Sequence, residues 1–261
     1  MRIRANPRGA VAPLGENTRI VKKIIMSTKR EPREQAKLSS ETLHVRTIRP
    51  EDIEAVLKLY NYYVDNSAIT FATVKPSLAE FTSLVEHTLE HYPFLVAEHH
   101  EHIVGYCYAH RLGERGAFEF SVELSIYVDH TCRHSGVGKA LYTVMERELM
   151  DQGLLNLYVS IATPMASADP YLSFNSLKFH EHMGYQLVGT MERCGYKFGR
   201  FYSLTWMQKL LPITTQKLKL IEKRKTFLTE IKNEGANNLM TAPAPKRLLP
   251  AKKPRIIKWI T

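Results

Sequence analysis

The chain has 261 residues, of which 44% are hydrophobic, and a formal net charge of +10. That is ample apolar material for one or two packed domains, while no run approaches the roughly 20 apolar residues of a membrane span. Its three cysteines, Cys107, Cys132 and Cys194, are too few and too scattered for a disulfide frame or a metal knuckle, and point to reduced thiols in a cytoplasmic setting.

The charge divides unevenly. Residues 1–42 hold ten Lys/Arg against four Asp/Glu, and residues 212–261 hold twelve against three. The body between them, 43–211, holds fourteen against nineteen and is mildly acidic. Two basic tails therefore flank an acidic domain, and the overall basicity says little about the chemistry of the body. The N-terminal 42 residues show no sustained period and read as a solvated, disordered extension, with Met26 a second candidate start and residues 21–25 then a translated leader.

The body opens with alternation over 43–48, a first strand. Pro50, Glu51 and Asp52 then start a helix whose stripe is Ile53, Val56, Leu57, Tyr60 and Val64. Ser77 followed by Glu80 is a capping box for a second helix with Phe81, Leu84, Val85 and Leu89 on its buried side. Residues 94–97 and 103–109 form a hairpin around the turn His99-His-Glu-His. From Phe118 to Val128 every even position is apolar, and the odd positions Glu119, Ser121, Glu123 and Ser125 are polar. That is a strand with one buried and one wet face.

A short loop follows, then Arg133-His134-Ser135-Gly136-Val137-Gly138-Lys139, then a helix with Leu141, Val144, Met145 and Leu149 on one side. Strand, glycine loop and helix together hold anions, because glycine lets the backbone approach closely and the amides at a helix start carry partial positive charge. The spacing Arg-x-x-Gly-x-Gly lacks the third glycine of a dinucleotide fingerprint and the Gly-Lys-Ser/Thr of a P-loop. Residues 156–162 are a further strand and 172–183 a helix ended by Gly184. Residues 185–190 and 201–208 are the last strands. After Pro212 a basic amphipathic pattern runs to about Lys232, and Pro, Asn, Ala and Lys dominate beyond it. It reads as a part-helical, then disordered tail, or as a nucleic-acid contact without aromatic stacking support.

The element order, the loop and eight collinear segments resemble the GNAT family of acetyl-CoA-dependent N-acetyltransferases, in its phosphinothricin/methionine-sulfone acetyltransferase-like subgroup. Among those segments are Tyr92-Pro-Phe-Leu-Val-Ala-Glu, Ile126-Tyr-Val, Phe179-His-Glu-His-Met-Gly-Tyr and Gly195-Tyr-Lys-Phe-Gly-Arg. The likeness spans 43–211 and neither tail. It implies an α/β (α+β) fold, a central mixed, mostly antiparallel twisted sheet flanked by helices.

The resemblance also implies acetyl-CoA as co-substrate, an amine or amino acid acceptor and direct transfer in a ternary complex. Ile126, Tyr127 and Val128 would meet the pantetheine arm and thioester. The amides of His134, Ser135, Gly136, Val137, Gly138 and Lys139 would cradle the diphosphate, with Arg133 and His134 as flanking cationic or polar contacts. Ser173, with Asn175 as the offset alternative, takes the place of the subgroup's cofactor-contacting asparagine. Acetyl transfer needs a neutral amine nitrogen, and Glu123 corresponds to the subgroup's base, acting through a water, with Glu119 as its backup. His180 corresponds to a histidine that assists proton transfer. The subgroup's Asn-Phe-Arg-Thr reads Thr70-Phe71-Ala72-Thr73 here, so a guanidinium for phosphinate or sulfone oxygens is missing. Phe71, Tyr108 and Tyr196 are the expected acceptor pocket. Neither the His99/His100/His102 group nor His180 with His182 has a third ligand at metal spacing, so no metal is expected. Subgroup members commonly form homodimers. The competing reading is a cofactor-binding or nucleic-acid-associated module acting through its tails.

Overall fold

The computed structural model describes residues 21–23 and 43–212. The basic tail helix and the sequence beyond it lie outside the described residues. Residues 21–23 are helical, and Val21 is fully buried in the larger core cluster.

The body follows the expected order of elements. Strand β1 spans Leu43–Thr47, and a 3₁₀ turn at Pro50–Asp52 leads into helix α1, Ile53–Asn66. Helix α2, Leu78–Leu89, starts at the capping box: the Ser77 hydroxyl accepts from the Glu80 N–H and the Glu80 carboxylate accepts from the Ser77 N–H. Strands β2, Phe94–His99, and β3, His102–Arg111, form the hairpin, whose turn residues His100 and Glu101 both have positive φ. Strand β4 is Ser121–Val128 and helix α3 is Val137–Asp151. Strand β5, Asn156–Pro164, helix α4, Asn175–His182, and the hairpin β6, Gln186–Lys197, with β7, Arg200–Leu210, complete the body. Gly184, at φ +90°, ends α4 in a Schellman motif: its N–H donates to the Glu181 carbonyl and the Tyr185 N–H to the His180 carbonyl.

The seven strands make one sheet in the order β1-β2-β3-β4-β5-β7-β6, antiparallel at every pair except β4–β5. Helix α3 packs on one face over Leu95, Cys107, Leu124 and Leu157, and α1 and α2 pack on the other over Phe94, Tyr106, Tyr108 and Tyr127. Two expectations are corrected. Residues 116–118 form a 3₁₀ turn rather than strand, and Phe118 is exposed. The odd face of β4 is not wet: Ser121, Glu123, Ser125 and Tyr127 are all buried. Its cover is built from distant segments, the helices α1 and α2 and the aromatic stack on β2 and β3.

Candidate active site

Strands β4 and β5 pair only from Ser121↔Asn156 to Glu123↔Tyr158, then diverge. On its other edge β4 stays paired with β3 as far as Val128↔Gly105. From Leu124 onward the β5-facing edge of β4 therefore offers ladder donors and acceptors that the sheet does not use. The gap holds a small cavity of about 40 Å³ lined by Ser125, Ile126, Tyr127, Ser160, Ser176 and His180 among others. It adjoins a cleft of about 500 Å³, and Ile69, Ile126, Tyr127 and Ser176 line both.

The cleft is walled by the end of β4, the glycine loop, the start of α3 and one side of α4. Ile126, Tyr127, Val128, Arg133, His134, Gly136, Val137, Gly138, Lys139, Ser173 and Asn175 all line it. Ser135 does not: its hydroxyl turns inward and donates to the Cys132 carbonyl. The loop turns through His134 at φ 65° and Gly136 at φ 95°. The first bond of α3 runs from the Ala140 N–H to the Gly136 carbonyl, leaving the N–H groups of Val137, Gly138 and Lys139 at the helix mouth without an intrahelical acceptor. These amides and the helix dipole favour an anion.

Arg133 supplies a cation beside them. One of its nitrogens lies 3.4 Å from the Tyr63 hydroxyl and its guanidinium carbon 5.6 Å from the Tyr63 ring centre. Tyr63 in turn donates to the Val128 carbonyl, which ties α1 to the end of β4. Gly138 has a packing reason as well, since a Cβ there would sit 3.1 Å from two atoms of the Phe179 ring. An extended thioester carrying a diphosphate fits this donor set: amides and a guanidinium at one end, a strand edge at the other.

Glu123 lies behind the small cavity rather than on its wall. The Ser160 hydroxyl, which does line the cavity, donates to Glu123 Oε1 at 2.5 Å. Glu119 is in the turn before β4 and does not share the strand's face, so it drops out as a backup base. His180 lines the cavity, but both ring nitrogens are engaged. Its Nδ1 is 2.8 Å from the Ser176 carbonyl, an acceptor only, so the proton sits on Nδ1. Nε2 then accepts from the Tyr142 hydroxyl at 2.9 Å. Burial pushes the His180 imidazole down to about 4, against the weaker opposing pull of the Ser176 carbonyl. His180 is therefore a neutral, doubly held ring.

The three expected acceptor residues line neither space. Tyr108 is packed in the aromatic stack, 5.0 Å from the Phe94 ring centre. Phe71 lies against Gly195 and Tyr202, and Tyr196 is exposed and pairs with Phe201. Sequence reasoning also missed Tyr63, Ser160, Ser176 and Phe179. Ser176 and Phe179 could have been reached, since they share a helix turn with His180. Nothing local marks Ser160. Among the described residues no group of three His, Cys, Asp or Glu could hold a metal, and no helix is long and apolar enough to cross a membrane.

The family profile described as an acetyltransferase (GNAT) domain matches residues 45–206. The chain belongs to the GNAT acetyltransferase family. It is 30% identical over 167 residues to a phosphinothricin N-acetyltransferase from Streptomyces viridochromogenes, covering 64% of this chain and 87% of that protein. It is 27% identical over 175 residues to the L-amino acid N-acyltransferase MnaT of Escherichia coli, covering 67% and 97%. Among solved structures, a GNAT superfamily phosphinothricin acetyltransferase from Sinorhizobium meliloti in complex with acetyl-CoA superposes with a TM-score of 0.60 at 29% identity, over 67% of this chain and 91% of that one. The GNAT assignment and the splayed sheet agree: this enzyme keeps the strand edge, anion loop and flanking helix in one continuous cleft.

Proposed function

We propose that this GNAT enzyme transfers the acetyl group of acetyl-CoA to the amine of an amino acid or a small amine, directly and within a ternary complex. The observation that carries the reading is the junction of two spaces at the β4–β5 splay. A cleft with an anion-binding mouth meets a small cavity whose polar wall, Ser160, is hydrogen-bonded to a buried carboxylate.

On this reading the amides of residues 137–139 and Arg133 hold the diphosphate, Ser173 before α4 and Asn175 at its start flank it, and the thioester lies along residues 126–128. The acceptor enters the small cavity as an ammonium. A proton passes from its nitrogen to Ser160 Oγ as the Ser160 proton passes to Glu123, which leaves the nitrogen lone pair free to attack the thioester carbonyl. The C–N bond forms, the C–S bond breaks, and the second proton lost by the nitrogen passes to the departing thiolate to give the free CoA thiol. Ser176, which lines both spaces, is the hydroxyl placed to hydrogen-bond the departing sulfur. His180 positions Ser176 and Tyr142 and does not exchange the proton.

Amino acids are the preferred acceptors on this account, because the relatives are named for phosphinothricin and L-amino acids. Ala72 in place of the subgroup's arginine disfavours phosphinothricin. Pairing of two copies is supported by Val188, Met191, Tyr196 and Phe201, apolar side chains more than half exposed on the β6–β7 hairpin at the end of the sheet. Action through the basic tails alone draws no support from the described residues.

The test is thiol release from acetyl-CoA with a panel of L-amino acids, small amines, phosphinothricin and methionine sulfone. The expected result is turnover on at least one amino acid, with phosphinothricin poor. A CoA-induced rise in melting temperature without thiol release on any acceptor would contradict the reading.

A further inference from the structure

We propose that His110 is the outlet through which the proton collected at Glu123 reaches solvent. The inference rests on the reading of Glu123 as the base and extends it, because a buried carboxylate that takes a proton in each turnover must also lose one. Glu123 is only 7% exposed. Its partner on the cavity side, Ser160, leads back toward the acceptor. On the other side the β3–β4 register places His110 directly across from Glu123, with Nε2 at 3.9 Å from Oε2.

The tautomer suits the task. His110 Nδ1 lies 3.3 Å from the Arg111 backbone carbonyl, which can only accept, so Nδ1 carries the proton. In the neutral ring the Nε2 lone pair is then free to accept. The gap exceeds a hydrogen bond of about 2.7–3.2 Å, so one of the two side chains must turn toward the other for the proton to pass. The His110 side chain is 33% exposed, which makes it the link between a buried acid and water.

The other titratable groups nearby do not compete. The Tyr108 ring, 5.9 Å from His110, has its phenol pushed up to about 12 by burial and stays protonated. Arg111 follows on the same strand as a fixed cation, and Tyr158 registers beside Glu123 on β5. The step balances: the Glu123 O–H breaks, its proton bonds to Nε2, and the imidazolium releases one proton to solvent and returns to the neutral ring. His110 acts through Glu123 and touches no substrate.

The experiment measures kcat for the wild-type enzyme, His110→Gln, His110→Ala and Glu123→Gln at saturating substrates, across a range of imidazole buffer concentrations, with melting temperatures alongside. His110→Gln should lose on the order of tenfold in kcat with KM for acetyl-CoA unchanged, less than the hundredfold or more that loss of the base removes. Added imidazole should restore both His110 variants and leave the wild type unaffected. Should His110→Ala fail to fold, the buffer response of His110→Gln carries the test. Full turnover by Glu123→Gln would overturn the base reading and the outlet with it. An inactive Glu123→Gln beside fully active His110 variants would overturn the outlet alone. So would His110 variants that are slow at every imidazole concentration, since a purely structural role gives that result.

Discussion

Replacing Gly138 by alanine separates the cleft's function from the domain's stability. Gly138 sits in the first turn of α3, and an added Cβ would meet Phe179 Cε2 and Cζ at 3.1 Å and Ile126 Cδ1 at 3.7 Å. Alanine gains up to about 1 kcal/mol of helix propensity over glycine. Crowding a packed ring costs about 1–3 kcal/mol unless the ring moves. Phe179 is only partly buried and lines the cleft, so it has somewhere to go, and that space is the ligand's. The melting temperature of Gly138→Ala should therefore stay close to wild type while CoA binding weakens about tenfold, the equivalent of about 1.4 kcal/mol. Gly136→Ala is the contrast. Its Cβ meets nothing within 4 Å, but φ +95° strains any side-chain-bearing residue by about 1–2 kcal/mol, so this variant should melt earlier. The assays are calorimetric titration with CoA and thermal unfolding. A Gly138→Ala enzyme that binds CoA with wild-type affinity would refute the placement of the cofactor against Phe179 and α3.

Further predictions concern the core. His180 has a folded-state pKa of about 4 against an ordinary 6.5, so between those values the unfolded chain binds the extra proton. Stability is therefore full above about pH 6.5 and falls by about 3 kcal/mol as the pH drops toward 4. His180→Gln should flatten that limb in urea titrations, and an unchanged slope would show that the neutral ring is not its source. Val21→Ala removes two methyl groups' worth of burial, about 1.6 kcal/mol at about 0.8 kcal/mol each, and should lower the urea midpoint accordingly. A chain begun at Met26 should lose at least as much, and equal stability of the full and shortened chains would contradict the burial of Val21 in the core.

Much of the fold could be read from local chemistry. Ser77 with Glu80 and the glycine at 184 each fix a helix end through backbone hydrogen bonds a few residues away, so their signals were complete within a short window. The Arg-x-x-Gly-x-Gly loop was legible for the same reason: its amides act in sequence order. The odd face of β4 was not, because its burial depends on residues from elsewhere in the chain: Ser160 and His110 beside Glu123, and α1, α2 and the aromatic stack around Tyr127. Ser160 and His110 were invisible in the sequence. His110 reaches Glu123 through the β3–β4 register and Ser160 reaches it just past the last β4–β5 pair, and neither residue type is unusual in a strand. Tyr108 and Tyr196 line neither space because an aromatic in a strand carries no mark of which face it takes, and Phe71, in the loop before α2, packs against Gly195 and Tyr202.

The turnover of Glu123→Gln at saturating acetyl-CoA and amino acid decides whether this carboxylate takes the acceptor's proton. A glutamine keeps the side-chain volume and can still accept from Ser160, but it cannot take up a proton. If Glu123 is the base, kcat falls by at least about a hundredfold with CoA affinity unchanged. A wild-type kcat in this variant would mean that the ammonium proton leaves by another path, and the chemistry assigned to the β4–β5 splay would be wrong.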